Sequence, residues 1–242
     1  MRAGEGTAHG AEVFPVLNWA YVQLLDSALP IGGFSHSFGL ETAVQWGAVR
    51  NAEDVRAYIL AMLYHLWAPM DLAAVKAVYR YGGAWGDWDR VWRLDERLHA
   101  ARLAQETREG VLKMGRRLIK LAQAMHPSLP LEPLERAVRE GRCTGAHPTA
   151  HGYVAFHLGA SEDEAAEGYL YACAAMAVNT ALRLMAMGQT EAQAVLASVL
   201  PHLSEAWARV KEDDPEAFYA AAPAAELYMM GHERLYSRLF MS

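Results

Sequence analysis

No stretch of this 242-residue chain alternates apolar and polar residues between hairpin signals. Its apolar side chains recur three and four apart instead, the spacing that lines them along one face of a helix. Thr107, Val111, Met114, Leu118, Leu121 and Met125 alternate steps of four and three, the pattern of an antiparallel helix–helix seam within a helix over Ala101 to Met125. Such a chain can bury its apolar surface only by packing helix on helix. The expected fold is all-α: a single-domain irregular helical bundle of about ten helices over residues 13–228. A loose Gly-rich tail is expected at 1–12 and a distinct terminal block at 229–242.

Caps and breakers divide the chain. Leu17, Tyr21, Leu24 and Ala28 predict a helix from Phe14 to Asp26, and a short one ends near Trp46 at Gly47. Asn51 and Asp54 open a helix that runs to Pro69, and a separate helix is expected from Met70 to Tyr81. Asp87 caps the next, and Pro133 starts a short one ending near Gly141. After the Cys143–Pro148 loop a helix is predicted from Thr149 to Leu158. Ser161 and Glu164 form a capping box for Glu162 to Met187, whose alanines suit the middle of a bundle. Thr190 with Gln193 caps a helix that continues or kinks at Pro201. Asp214–Pro215 opens a further piece, and Pro223 precedes the last.

With 53% apolar and 21% charged residues the chain is globular, and a net charge of −6 opposes a nucleic-acid surface. Two cysteines, Cys143 and Cys173, indicate free thiols in a reducing, cytoplasmic setting. The opening residues lack a signal-peptide core. No window is expected to reach the ~20 apolar residues of a membrane span; the richest, Tyr169 to Met187, carries Asn179 and Arg183.

Two stretches exceed the needs of helix packing. In LLDSALPIGGFSHSFGLE, Leu24 to Glu41, Pro30 stops the preceding helix, and Gly32 and Gly33 leave main chain bare. Read as an ordinary corner, Phe34 and Phe38 enter the core and Ser35 or Ser37 caps the next helix, with His36, Gly39 and Glu41 following. The second stretch is MMGHERLYSRLFMS, Met229 to Ser242. As a free tail it would expose an apolar patch that monomers seldom tolerate, so it either folds onto its own core or docks in a partner.

Other chemistries find little support. GFSHS lacks the G-x-S-x-G pattern, and no P-loop is present. His147 and His151 are four apart, but Pro148 stands where a zincin has glutamate, and no metal site is assigned. Arg183, Arg234 and Arg238 could complete a partner's GTPase site only by position.

The first of these stretches resembles the N-terminal signature of the urease accessory protein UreF family, and MMGHERLYSRLFMS resembles its C-terminal signature. RLMAMGQTEAQ, Arg183 to Gln193, and AHPTAHGYVAF, Ala146 to Phe156, agree with it in the same order. Phe34 stands where many members have tyrosine, and AMGQ replaces PLGQ around Gly188 and Gln189. The resemblance implies an all-α, dimeric, non-catalytic scaffold without a cofactor. It would bridge a UreD/UreH-type protein and the UreG GTPase, for GTP-dependent nickel insertion into the urease apoprotein. It tilts the terminal block towards partner docking, through His232, Glu233, Arg234, Tyr236, Ser237, Arg238 and Phe240. Gly32, Gly33, Phe34, Ser35, His36, Ser37, Gly39 and Glu41 would shape the same surface, and Arg238 is expected to hydrogen-bond carbonyls of the Phe34 loop. Arg183 and Gln189 complete the expected partner-binding set, which leaves a GTPase activator and a direct nickel carrier (His147, His151, Cys143) as alternatives.

Overall fold

The computed structural model describes residues 17–242, and among these there is no strand. The expected tail at 1–12 and the start of the first helix lie outside them. The helices are α1 (Trp19–Leu24), α2 (Leu40–Gln45), α3 (Ala52–Ala84), α4 (Trp88–Ala101), α5 (Gln105–Met125), α6 (Glu132–Arg139), α7 (His147–His157), α8 (Glu162–Leu184), α9 (Gln189–Val210) and α10 (Pro223–Gly231). Short 3₁₀ turns occupy Gly33–Ser35, Pro215–Ala217 and His232–Arg234.

The expected capping box starts α8: Ser161 accepts from the Glu164 amide while Glu164 reaches back to Ser161. Ala165, Ala166, Ala174, Ala175 and Ala181 are buried, so α3, α7 and α9 come close along its length. Asn51 and Asp87 cap α3 and α4 as expected. Gly188, not Thr190, precedes α9, and that helix continues through Pro201 to Val210.

Pro69 does not end a helix. The two expected helices are one of 33 residues, wound as π-helix over Leu63–Asp71 and Val78–Ala84. Proline has no N–H, and its ring crowds the carbonyl four residues back; a wider turn relieves the clash. The freed carbonyl, that of His65, accepts from the Ala221 amide at 2.8 Å, so the proline anchors the segment leading into α10. By length and composition this helix could also cross a membrane, against the expectation from the sequence. However, 78% of its most apolar window is buried inside the bundle.

The sequence predicts a helix starting at Thr149 after the second loop, yet α7 begins at His147. The cause is Asp95, buried on α4. Its carboxylate accepts from the amides of Thr144 (2.6 Å), Gly145 (3.2 Å) and Ala146 (3.3 Å), and from the hydroxyls of Thr144 and Thr149 (both 2.6 Å). A charge fixed there satisfies the loop and complements the first turn of α7. Deeper still, Arg102 pairs with Asp71, and the Tyr169 hydroxyl donates to Asp71 at 2.8 Å, tying α3 and α8 to the residue that follows α4.

Candidate functional site

The corner and the terminal block form one unit. Gly32 and Gly39 both have φ of 92°, closed to side chains of ordinary residues, and between them the chain turns back on itself. A Cβ on Gly33 would lie 2.7 Å from the Met176 sulfur, so the loop sits hard against α8. Phe38 adopts φ of 49°, a strained angle for a residue with a side chain. It is held by Tyr58, whose hydroxyl donates to its carbonyl at 2.8 Å, and by stacking on His36.

Ser242 supplies what the corner lacks. Its carbonyl accepts from the Ser37 amide (2.6 Å), the Phe38 amide (3.1 Å) and the Ser37 hydroxyl (2.6 Å). Its own hydroxyl lies 2.9 Å from His36 Nδ1, and the Met241 amide donates to the Ser35 carbonyl at 2.8 Å. Neither serine caps α2. Ser37 is used by Ser242, and Gly39 precedes the helix with no side-chain cap. Burial, with Lys113 and Arg117 nearby, holds the His36 pKa down to about 4.

Glu41 is the second anchor. It is 2% exposed, and its two oxygens accept from the amides of Leu239 (2.6 Å) and Phe240 (3.0 Å). His232, fully buried, stands between two carboxylates: Nε2 is 3.0 Å from Glu41 and Nδ1 is 2.6 Å from Glu106. Arg238 pairs with Glu106 at 2.7 Å, so it does not reach the Phe34 loop as expected. Arg183 takes that place. Its guanidinium donates to the Phe34 carbonyl at 2.6 Å and lies over the Phe34 and Phe240 rings, 4.1 and 4.3 Å from their centroids. Arg183 extends from α8 and so bolts the corner and the block together over the central helix; Arg238, pinned to α5, cannot.

The block therefore folds back, one of the two outcomes left open, while its apolar side chains stay outside. Tyr236 is fully exposed, and Phe34 (69%), Leu239 and Met241 are largely so; Phe38 is half-buried. Phe34 therefore does not enter the core. Gln45 donates to the Ser237 carbonyl at 3.0 Å, and the exposed Trp46, Leu227 and Met230 continue the apolar belt across α2 and α10. Beside Phe34 a cavity of about 70 Å³ opens among Leu25, Leu29, Ile31, Met114, Met176 and Arg183. Glu233 and Arg234 are exposed beside the belt, whereas Gln189 is exposed at the start of α9 with no contact to the block.

Reading by residue spacing misses the parts that Glu106, Tyr58, Gly110 and Ser242 play in this unit. Gly110 makes room for the His36 ring, since a Cβ there would lie 2.8 Å from Nδ1; a glycine amid helix-forming residues is the one available hint.

Histidines and thiols elsewhere are inward-facing. His147 and His151 are buried, with pKa values lowered by that burial to about 3 and about 4. His151 Nε2 lies 3.1 Å from the Ala165 carbonyl. Cys143 donates to Asp95, and burial pushes both thiols up. Among the described residues no three His, Cys, Asp or Glu side chains converge on a metal-sized point.

The UreF family model matches residues 49–200, and most of the chain aligns with curated relatives. The urease accessory protein UreF of Actinobacillus pleuropneumoniae serotype 5b (strain L20) is 33% identical over 223 residues, 92% of this chain and 98% of that protein. This chain belongs to the UreF family. Urease accessory proteins UreF of Bacillus sp. (strain TB-90) and Kocuria rhizophila are 34% and 35% identical, each over 91% of this chain and 96% and 95% of their own lengths. The family match begins after the corner and stops before the terminal block, so the unit that these two form flanks the matched residues on both sides.

Proposed function

We propose that this chain is a non-catalytic scaffold in urease maturation, working in the cytoplasm as a homodimer. It bridges a UreD/UreH-type accessory protein and the UreG GTPase, in GTP-dependent delivery of nickel, as cargo, to the urease apoprotein. One observation carries the reading. The corner and the terminal block have their backbone groups tied by Glu41, Ser242 and Arg183, while Phe34, Tyr236, Leu239 and Met241 stand in solvent. A rigid loop pair with exposed aromatic and aliphatic tips suits protein docking, because little ordering entropy remains to be lost on binding.

The UreD/UreH-type protein is assigned to this belt. Its contacts would be Gly32, Phe34, Tyr236, Leu239 and Met241, with Glu233 and Arg234 at the rim. Of the three candidate arginines, Arg183 and Arg238 are already committed to Phe34 and Glu106, which favours the scaffold reading over a GTPase activator, while Arg234 stays exposed beside the belt. It is preferred to a nickel carrier because His147, His151 and Cys143 are spent on internal bonds or buried. The test leaves the internal bonds intact: Tyr236→Ala/Leu239→Ala/Met241→Ala alters tips only. Loss of co-elution with the UreD/UreH-type protein, at unchanged circular dichroism, is expected; retention of that complex refutes the assignment.

A further inference from the structure

Helix α5 carries Lys113, Arg116, Arg117 and Lys120, spaced three, four and seven residues from the first, which places all four on one face. All are exposed. Glu109, 3.6 Å from Lys113, is the one carboxylate paired with them among the described residues. Arg116 reaches only the Thr144 carbonyl, and Arg117 lies over Gly32, where a Cβ would come within 2.5 Å of its guanidinium. Many other surface cations do have carboxylate partners: Arg80 with Glu162, Arg90 and Arg97 with Glu216, Arg142 with Asp89 and Glu140, Lys211 with Asp163. Like charges three and four apart oppose helix formation, and among the described residues only the Lys113–Glu109 pair offsets them here.

The strip also borders the corner, since Lys113 and Arg117 are the charges that, after burial, hold His36 neutral. We propose that this face of α5 docks an acidic surface of a second protein partner, one other than the partner taken by the apolar belt. The inference rests on the scaffold reading above. A bridge needs two chemically different faces, and these two meet at Gly32. A protein is favoured over a polyanion because the chain is net −6 and the strip spans only about 10 Å of helix.

The test measures affinity of the full chain for the purified GTPase and for the UreD/UreH-type protein, separately, at roughly 50 and 300 mM salt. Arg116→Glu/Arg117→Glu/Lys120→Glu is expected to weaken binding of the GTPase about tenfold or more and to flatten its salt dependence, leaving binding of the UreD/UreH-type protein unchanged. The milder Arg116→Gln/Arg117→Gln/Lys120→Gln should fall between, which guards against a folding defect. Unchanged affinity for the GTPase, or a loss confined to the UreD/UreH-type protein, overturns the strip assignment. So does charge-dependent binding to phosphatidylserine vesicles or duplex DNA with both protein affinities intact. Wild-type chain that binds neither protein overturns the scaffold reading itself, and a loss confined to the belt variant leaves the strip assignment refuted.

Discussion

Single residues here work by being buried in one protonation state. His36, His147 and His151 have folded pKa values near 4, 3 and 4, below the ordinary 6.5. A depressed histidine pKa means that the unfolded chain binds a proton that the fold refuses. Stability is therefore full above about pH 6.5 and falls as pH drops towards 4, by about 1.4 kcal/mol per pH unit for each such histidine. Urea unfolding at pH 7, 6 and 5 should show this loss, and His147→Asn should reduce the slope by one proton. A flat profile would show that these rings are open to water. Arg183 illustrates the other residue-scale lesson. Three arginines are legible as candidates, but which one reaches Phe34 depends on whether it leaves α8 or the terminal block, and spacing along the chain does not carry that.

At the scale of elements, local signals place most helices, and the misses have named causes. Asn51, Asp87 and Ser161 act as caps because their partners are three residues away. His147 begins α7 because Asp95, on another helix, receives the loop amides, a partner outside any local window. Pro69 is the sharpest case. Its helix continues because Ala221 uses the carbonyl that the proline frees. Pro69→Ala restores an N–H that competes for the His65 carbonyl. Amide exchange at Ala221 should then quicken by about tenfold or more with little loss of overall stability. Unaltered exchange would mean that the segment before α10 is fixed by something else.

For the whole molecule, the Leu24–Glu41 corner and the terminal block close on each other across α2, α5 and α8. Removing residues 233–242 strips Glu41, His36, Ser37 and Phe38 of partners together. With about 2 kcal/mol lost, a melting point lower by roughly 4–8 °C is expected at nearly unchanged far-UV dichroism. An unchanged melting point would mean that the block contributes only a docking surface. The all-α class, the central Ala-rich helix and the two unusual stretches are legible in the residues alone, because periodicity, caps and glycine freedom act within a few residues. Packing alone brings those stretches together, sets His232 between Glu41 and Glu106, and leaves Arg116, Arg117 and Lys120 of α5 without a carboxylate partner among the described residues. The reason is physical: these outcomes depend on which groups far apart in sequence do or do not meet, and that is chosen by packing and electrostatics after the helices form.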